Sequence, residues 1–280
     1  MNVPKIIHYC WFGGNPMPTI GEKCIESWKK YFPDYQIKKW DETNFNLNVN
    51  DYVKEAYEQK KWAFVSDYAR FWILYNYGGI YFDTDVEVVK SPTLEIVNSC
   101  FMGKEASNHN WNKSQSIKYQ VASGLGLSAN SGLGLYKEIL DYYDTEHFVM
   151  EDGTLNMETV VSRVSAILKK YGYEGNKSIE IVKGVTIYPP DYFCPLNPDD
   201  GILNITENTI SIHHYTDTWH SIKEKKAIKL SKKFENKGRI VYLFGRLFTL
   251  PIRVMAKIER LGFRKTVDFI IEKFIKNRKM

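Results

Sequence analysis

Asp83 and Asp85 stand one residue apart, and two carboxylates so placed can share a single hard cation. Neighbouring carboxylates repel unless a proton or a cation lies between them, and Mg2+ or Mn2+, which prefer oxygen ligands, are the economical partners. Such an ion commonly bridges a protein to the phosphates of a nucleotide. An ordinary solvated turn is the competing reading of a bare D-x-D. Upstream, Asp67 and Arg70 are three apart in a segment of helical periodicity, which puts them on one helix face. A surface ion pair at that spacing is the bland alternative, worth only about 0.2–0.5 kcal/mol, and the aromatic residues around it argue against full solvation.

The elements that position these four residues are legible nearby. Residues 63–77 carry Phe64, Tyr68, Phe71, Trp72, Leu74 and Tyr75 at helical spacings without a Pro, which predicts a helix. Gly78-Gly79 ends it, because a Gly just past the last turn takes the left-handed conformation without penalty. Residues 80–89, IYFDTDVEVV, alternate and are rich in β-branched and aromatic types, predicting one strand. On one continuous strand Asp83 and Asp85 project to the same face.

The string S-D-Y-A-R-F-x-x-L-Y-x-x-G-G-I-Y-x-D-x-D, residues 66–85, resembles the DXD sugar-binding region of glycosyltransferase family 32. That family includes bacterial capsular polysaccharide transferases and fungal mannosyltransferases, and the block is similar to one in the large glucosylating toxins. The resemblance implies an α/β fold of GT-A type, Rossmann-like and nucleotide-sugar-binding, with a mixed central sheet. It further implies a nucleotide-sugar donor, a divalent metal, Mn2+ or Mg2+, and retention of anomeric configuration. By the same match Asp85 is the main metal ligand and Asp83 bridges metal, ribose and sugar hydroxyls. Asp67 and Arg70 hold the donor sugar, and Ser66 and Tyr81 line the donor pocket.

Residues 5–12, KIIHYCWF, form an apolar run closed by Gly13-Gly14 and predict a buried first strand ending at Trp11. Ligands of open α/β sheets bind beyond the carboxyl ends of strands, where an indole can stack on a nucleobase; a plain core Trp is the alternative. In the resembling family the matching Trp packs on the base. His8 reads as a core histidine. A helix over 22–31, with Ser27-Trp28 matching the family, and a strand over 35–40 continue a βαβ rhythm. Helices over 53–60, 133–143 and 156–171 follow, with strands at 101–103, 119–129 and from 185, and a polar loop at 108–115. The resemblance to retaining GT-A enzymes implies Asp152 and Asn156 as groups near the acceptor and the donor sugar; helix capping is the alternative for both.

The stretch 209–219, TISIHHYTDTW, alternates so that Ile210, Ile212 and His214 share one face while Ser211 and His213 share the other. H-Y-x-x-x-W is similar to the late histidine segment of several GT-A families. That match implies His214 as a metal ligand, with His213 as the alternative, and Trp219 as an indole N–H donor to phosphate.

Residues 223–280 hold 18 Lys and Arg against 5 Asp and Glu, a balance of +13 that leaves −8 for 1–222, since the chain totals +5. This predicts a catalytic domain over 1–222 and a basic, amphipathic helical region over 223–280. Residues 240–256 are apolar but interrupted by Arg246, Pro251 and Arg253, which fits an interfacial segment on anionic lipid or a subdomain packed on the rest better than a membrane span. No motif for reading nucleic acid accompanies the charge, so nucleic acid is not an expected partner. Residues 1–7 show no leader pattern and the four cysteines are scattered, which predicts a cytoplasmic chain with reduced thiols, peripheral on the inner face of the membrane if 223–280 engages it. The expected activity is transfer of a hexose, from UDP-galactose or UDP-glucose, to a saccharide acceptor, free or lipid-linked, in capsular or surface polysaccharide synthesis. The rivals are a nucleotide-sugar-binding module without turnover and a metal-dependent phosphotransferase or nuclease using Asp83 and Asp85.

Overall fold

The computed structural model describes residues 3–106, 118–197 and 201–216, together with Pro251. These belong, Pro251 and Thr216 aside, to the first of two units into which the chain divides, Met1–Tyr215 and Thr216–Met280. The loop expected at 108–115, Trp219, and all of 223–280 except Pro251 lie outside the described residues.

In chain order the elements are β1 (Ile6–Cys10), α1 (Thr19–Tyr31), β2 (Gln36–Trp40), α2 (Asp51–Glu58), α3 (Trp62–Tyr77), β3 (Gly79–Tyr81) and β4 (Val86–Val88). There follow α4 (Leu94–Val97), β5 (Phe101–Ala106), β6 (Tyr119–Val121), β7 (Leu127–Ala129), α5 (Gly134–Asp144) and α6 (Val160–Lys169). The last are β8 (Glu180–Val182), β9 (Val185–Tyr188), α7 (Pro190–Phe193) and β10 (Ser211–His213). The central sheet runs β2-β1-β3-β7-β5-β9-β8, with β6 beside β5. Strands β1, β2 and β3 are parallel neighbours, β7 is antiparallel to both β3 and β5, and β5 runs parallel to β9. The sheet is therefore mixed, as expected.

Side-chain alternation divides the interior into two layers. Ile7, Ile80, Phe82 and Phe101 point into a core closed by Cys24 and Trp28 of α1, Val86 and Val88 of β4, and Phe193 of α7. Cys10, Tyr81 and Met102 point the other way, into a core built with α2, α3, α5 and α6. Asn50 caps α2 by accepting from the Val53 N–H at 2.9 Å, and Thr159 does the same for α6 through Ser162.

The stretch 80–89 is not one strand. Strand β3 ends at Tyr81, Asp83 to Val86 make a turn closed by the Val86 N–H on the Asp83 carbonyl at 3.1 Å, and β4 joins β10 in a separate two-stranded ribbon. The chain leaves the central sheet because Ser27 and Trp28 of α1 draw it away. The Trp28 indole donates to Val86 O at 2.7 Å, and the Val88 N–H donates to Ser27 Oγ at 2.9 Å. Asp83 and Asp85 are thus two positions of a turn, not two positions on one strand face.

His8 sits fully buried in β1, with Nε2 donating to Gly78 O at 3.0 Å and Nδ1 accepting from the Trp40 indole at 3.0 Å. That pair of bonds fixes the neutral tautomer, and burial pushes its pKa down to about 4. The unfolded chain takes up a proton near pH 6.5 while the folded chain does not, so stability should fall as pH drops from about 6.5 to about 4, by up to roughly 3 kcal/mol. Urea unfolding at several pH values checks this: His8→Leu should flatten the slope in that window, and an unchanged slope would contradict it.

Candidate functional site

Arg70, on the third turn of α3, is buried with its side chain 4% exposed and uses every nitrogen of its guanidinium. Nη2 lies 2.9 Å from Asp67 Oδ1 and 3.2 Å from Asp83 Oδ1. Nη1 donates to Ser123 Oγ at 3.1 Å, and Nε donates to Ser66 O at 3.1 Å. The guanidinium also stands over the Tyr81 ring, 5.1 Å from its centroid, and the Tyr81 hydroxyl donates to Asp83 Oδ1 at 3.0 Å. The i,i+3 pair expected on α3 is therefore no surface pair but a bridge from the helix to the acidic turn. Burial pushes the Asp67 carboxyl up to about 6, against the pull of Arg70 and with the charge of Asp83 adding to the rise. Burial disfavours the Arg70 charge, yet the carboxylates of Asp83 and Asp67 more than offset it and hold its pKa above the usual range.

The turn between β6 and β7 closes this arrangement from the far side. The Asp83 N–H donates to Gly124 O at 3.1 Å, and a Cβ placed on Gly124 would stand 1.9 Å from Asp83 Oδ2. Ser123 and Gly124 were not among the residues expected here. Gly124 belongs to a closely spaced set with Gly126, Gly132 and Gly134, and at Gly124 the missing side chain serves close backbone approach to Asp83.

The ribbon brings up the histidines. Register pairs Ser211 with Val88, Ile212 with Glu87 and His213 with Val86, and the His214 N–H donates to the Asp85 carbonyl at 3.0 Å. The two imidazoles point to opposite sides, as the alternation predicts. His213 Nε2 lies 3.0 Å from Asp85 Oδ1, whereas His214 Nε2 lies 2.8 Å from Glu87 Oε2. The structure thus brings His213 to the acidic turn, and His214, expected there, faces Glu87 on the outer side of the ribbon. Burial opposes a charge on His213, but the charge and hydrogen bond of Asp85, with Asp83 and Glu105 nearby, hold its pKa above the ordinary value. Its Nδ1 is buried and has no hydrogen-bond partner among the described residues.

Trp11 is half-buried just past β1, and the parallel pairing of β1 with β3 sets that strand end beside the one leading into the turn. Its indole donates to Asn15 O at 2.6 Å, in the loop that follows. Trp62, which sequence reasoning did not single out, covers Gly13: a Cβ there would stand 2.5 Å from its indole nitrogen. Ser66 Oγ donates to Trp62 O in the first turn of α3. Asp152 and Asn156 serve local turns, Asp152 accepting from the Thr154 N–H and Asn156 Oδ1 from the Glu158 N–H.

Among the described residues no three His, Cys, Asp or Glu side chains form a ready metal cage. The residues present still fit a hard divalent ion of the kind that takes one or two carboxylates and completes its shell with water and substrate phosphates. Asp83 and Asp85 keep 28% and 14% of their side-chain surface, so both can be reached, and the imidazole of His213 adjoins them.

The acidic turn and the helix bridged to it by Arg70 both lie within a stretch that matches a known family. Residues 18–113 match the family described as "Glycosyltransferase sugar-binding region containing DXD motif". The chain is 34% identical over 91 residues to inositol phosphoceramide mannosyltransferase 3 of Schizosaccharomyces pombe, a match covering 30% of this chain. The chain spans about a quarter of the length of that relative, 24%. Two solved structures are similar at a TM-score of 0.41. One is the PaToxG glycosyltransferase, at 16% identity with 60% of this chain and 70% of that one covered. The other is a glycosyltransferase involved in the glycosylation of the major capsid of PBCV-1, at 12% identity with 76% and 94% covered.

Gly124→Ala tests the closure of the site, because the added methyl and Asp83 Oδ2 cannot both keep their places. The variant should lose about 1–3 kcal/mol of stability, the range for overpacking, read by urea unfolding; wild-type stability would show that Asp83 need not stand where it does.

Proposed function

We propose that the chain is a metal-dependent, retaining glycosyltransferase of GT-A type. It moves a hexose from a nucleotide sugar, UDP-galactose or UDP-glucose, to a saccharide acceptor of a capsular or surface polysaccharide. The observation that carries the reading is the bridge from Asp67 through Arg70 to Asp83, with Asp85 and His213 in contact beside it. A simple solvated D-x-D turn needs no buried arginine and no imidazole. The family match over 18–113 supports the sugar-nucleotide chemistry over the phosphotransferase alternative.

Each group then has a defined task. Asp85 and His213 would hold the ion, Mn2+ by preference because it accepts imidazole beside oxygen, and Asp83 would face both ion and donor. When bound, the ion supplies positive charge that stabilises the departing diphosphate. Asp67, paired with Arg70, would accept hydrogen bonds from hydroxyls of the donor sugar. Arg70 keeps Asp67 and Asp83 in fixed relation and spends its hydrogen bonds on protein. Trp11 supplies ring surface at the strand end where the nucleotide would lie, whereas Tyr81 is buried and acts through its hydroxyl, which holds Asp83. Among the described residues no side chain stands out as a nucleophile for double displacement, so attack by the acceptor hydroxyl on the face the diphosphate leaves is the mechanism that accords with retention. Trp219 keeps its proposed role as a donor to phosphate. The basic region 223–280 is proposed as a contact with anionic membrane, which would place a lipid-linked acceptor within reach. Among the described residues no helix is long and apolar enough to cross a membrane.

The test is release of nucleoside diphosphate from a panel of UDP- and GDP-sugars with Mn2+ present; GDP-mannose is included because the fungal relative is named a mannosyltransferase. One donor should be hydrolysed, with the activity lost on chelation and reduced at least a hundredfold in Asp85→Ala. Metal-dependent binding of a donor with no turnover, even in the presence of saccharide acceptors, would identify a binding module instead.

A further inference from the structure

We propose that Tyr215 is a positioning residue for His213, holding the imidazole in place when Nε2 is given up to a metal ion. The proposal rests on the reading that Asp85 and His213 hold that ion. A histidine that ligates a metal usually donates its other ring N–H to a carboxylate, carbonyl or water, and that second bond fixes the ring. His213 has no such bond among the described residues, since Nδ1 is buried and unpartnered. Its orientation comes from Asp85 on Nε2 and from the ring of Tyr215, which meets it edge-on with centroids 4.2 Å apart and planes at 66°. Once an ion takes the place of Asp85 at Nε2, the Tyr215 contact is the restraint that persists.

Tyr215 is built for that use. Its φ of +47° is left-handed, a conformation that a bulky side chain adopts only when its surroundings compel it. The hydroxyl supplies the compulsion from two other elements. It donates to Glu105 Oε2, on β5, at 3.1 Å, and lies 3.0 Å from Sγ of Cys194, the residue that caps α7. Burial pushes the Cys194 thiol up to about 12, so it keeps its proton and can donate to the phenol oxygen. Glu105, Cys194 and Tyr215 therefore fasten the exit of β10 to the central sheet and to α7, with the ring of Tyr215 pressed on the imidazole. Sequence reading passed over Tyr215 because a Tyr after two histidines in an alternating segment looks like one more strand residue.

The experiment is Mn2+ binding to the whole chain, followed by electron paramagnetic resonance, for wild type, His213→Ala and Tyr215→Phe. Tyr215→Phe keeps the ring and removes both tethers. It should bind Mn2+ about tenfold more weakly, the lower end of the effect of lost outer-shell partners, with diminished nitrogen coupling from the imidazole and an unchanged circular dichroism spectrum. Wild-type affinity and coupling in Tyr215→Phe, with His213→Ala weakened, would overturn the positioning role and leave the site reading standing. Wild-type affinity in both variants would overturn the site reading and the positioning role with it. Should Tyr215→Phe not fold, Cys194→Ala removes one tether from the same hydroxyl and is read in the same way.

Discussion

Arg70 carries its charge into a place that water does not reach, and the neighbouring residues are arranged to make that tolerable. A buried guanidinium is costly unless its donors are satisfied and its charge is met. Here all of its nitrogens are engaged, two carboxylates meet the charge, and an aromatic face covers it. The dependence runs in both directions. Without Arg70, Asp67 and Asp83 would be two like charges brought together by α3 and β3, and breaking a buried pair of this kind typically costs about 3–5 kcal/mol. The arginine therefore stabilises the fold at the very point where the acidic turn must be held, and the site inherits its rigidity from that pair.

Around the bridge, three backbone arrangements fix what the charges alone would leave loose. Trp28 and Ser27 of α1 pull the chain out of the central sheet after Tyr81, which creates the turn. Gly124 lets another turn lie directly against Asp83. The ladder of β4 with β10 delivers His213 to Asp85 across 128 positions of sequence. None of these supplies a reacting group. Each decides where one will stand.

Much of this was legible in the sequence, and the parts that were not have identifiable causes. The helix bearing Asp67 and Arg70 showed itself through apolar residues at helical spacing, and α3 begins and ends within one residue of that pattern. The break inside 80–89 was hidden because Phe82 and Val86 both face the same core, so the apolar alternation continues across a turn. Asp83-Thr84-Asp85 has turn-compatible composition, but in a β-rich run that signal is weak. Alternation separated His213 from His214 correctly as to face. Which face meets Asp85 depends on the register with β4, and register is a tertiary property that a single strand does not encode. The left-handed backbone of Tyr215 is likewise imposed by Glu105 and Cys194, distant in the chain.

If the acidic turn and the histidine beside it form one metal-assisted sugar-nucleotide site, anomalous diffraction from a crystal of the whole chain grown with Mn2+ and the nucleoside diphosphate should show it. The expected result is a single strong manganese peak within coordinating distance of the Asp85 carboxylate, bordered by Asp83 and the His213 imidazole, with diphosphate density completing the shell. A peak at Glu87 and His214, or nucleotide bound away from the exits of β1 and β3, would contradict it.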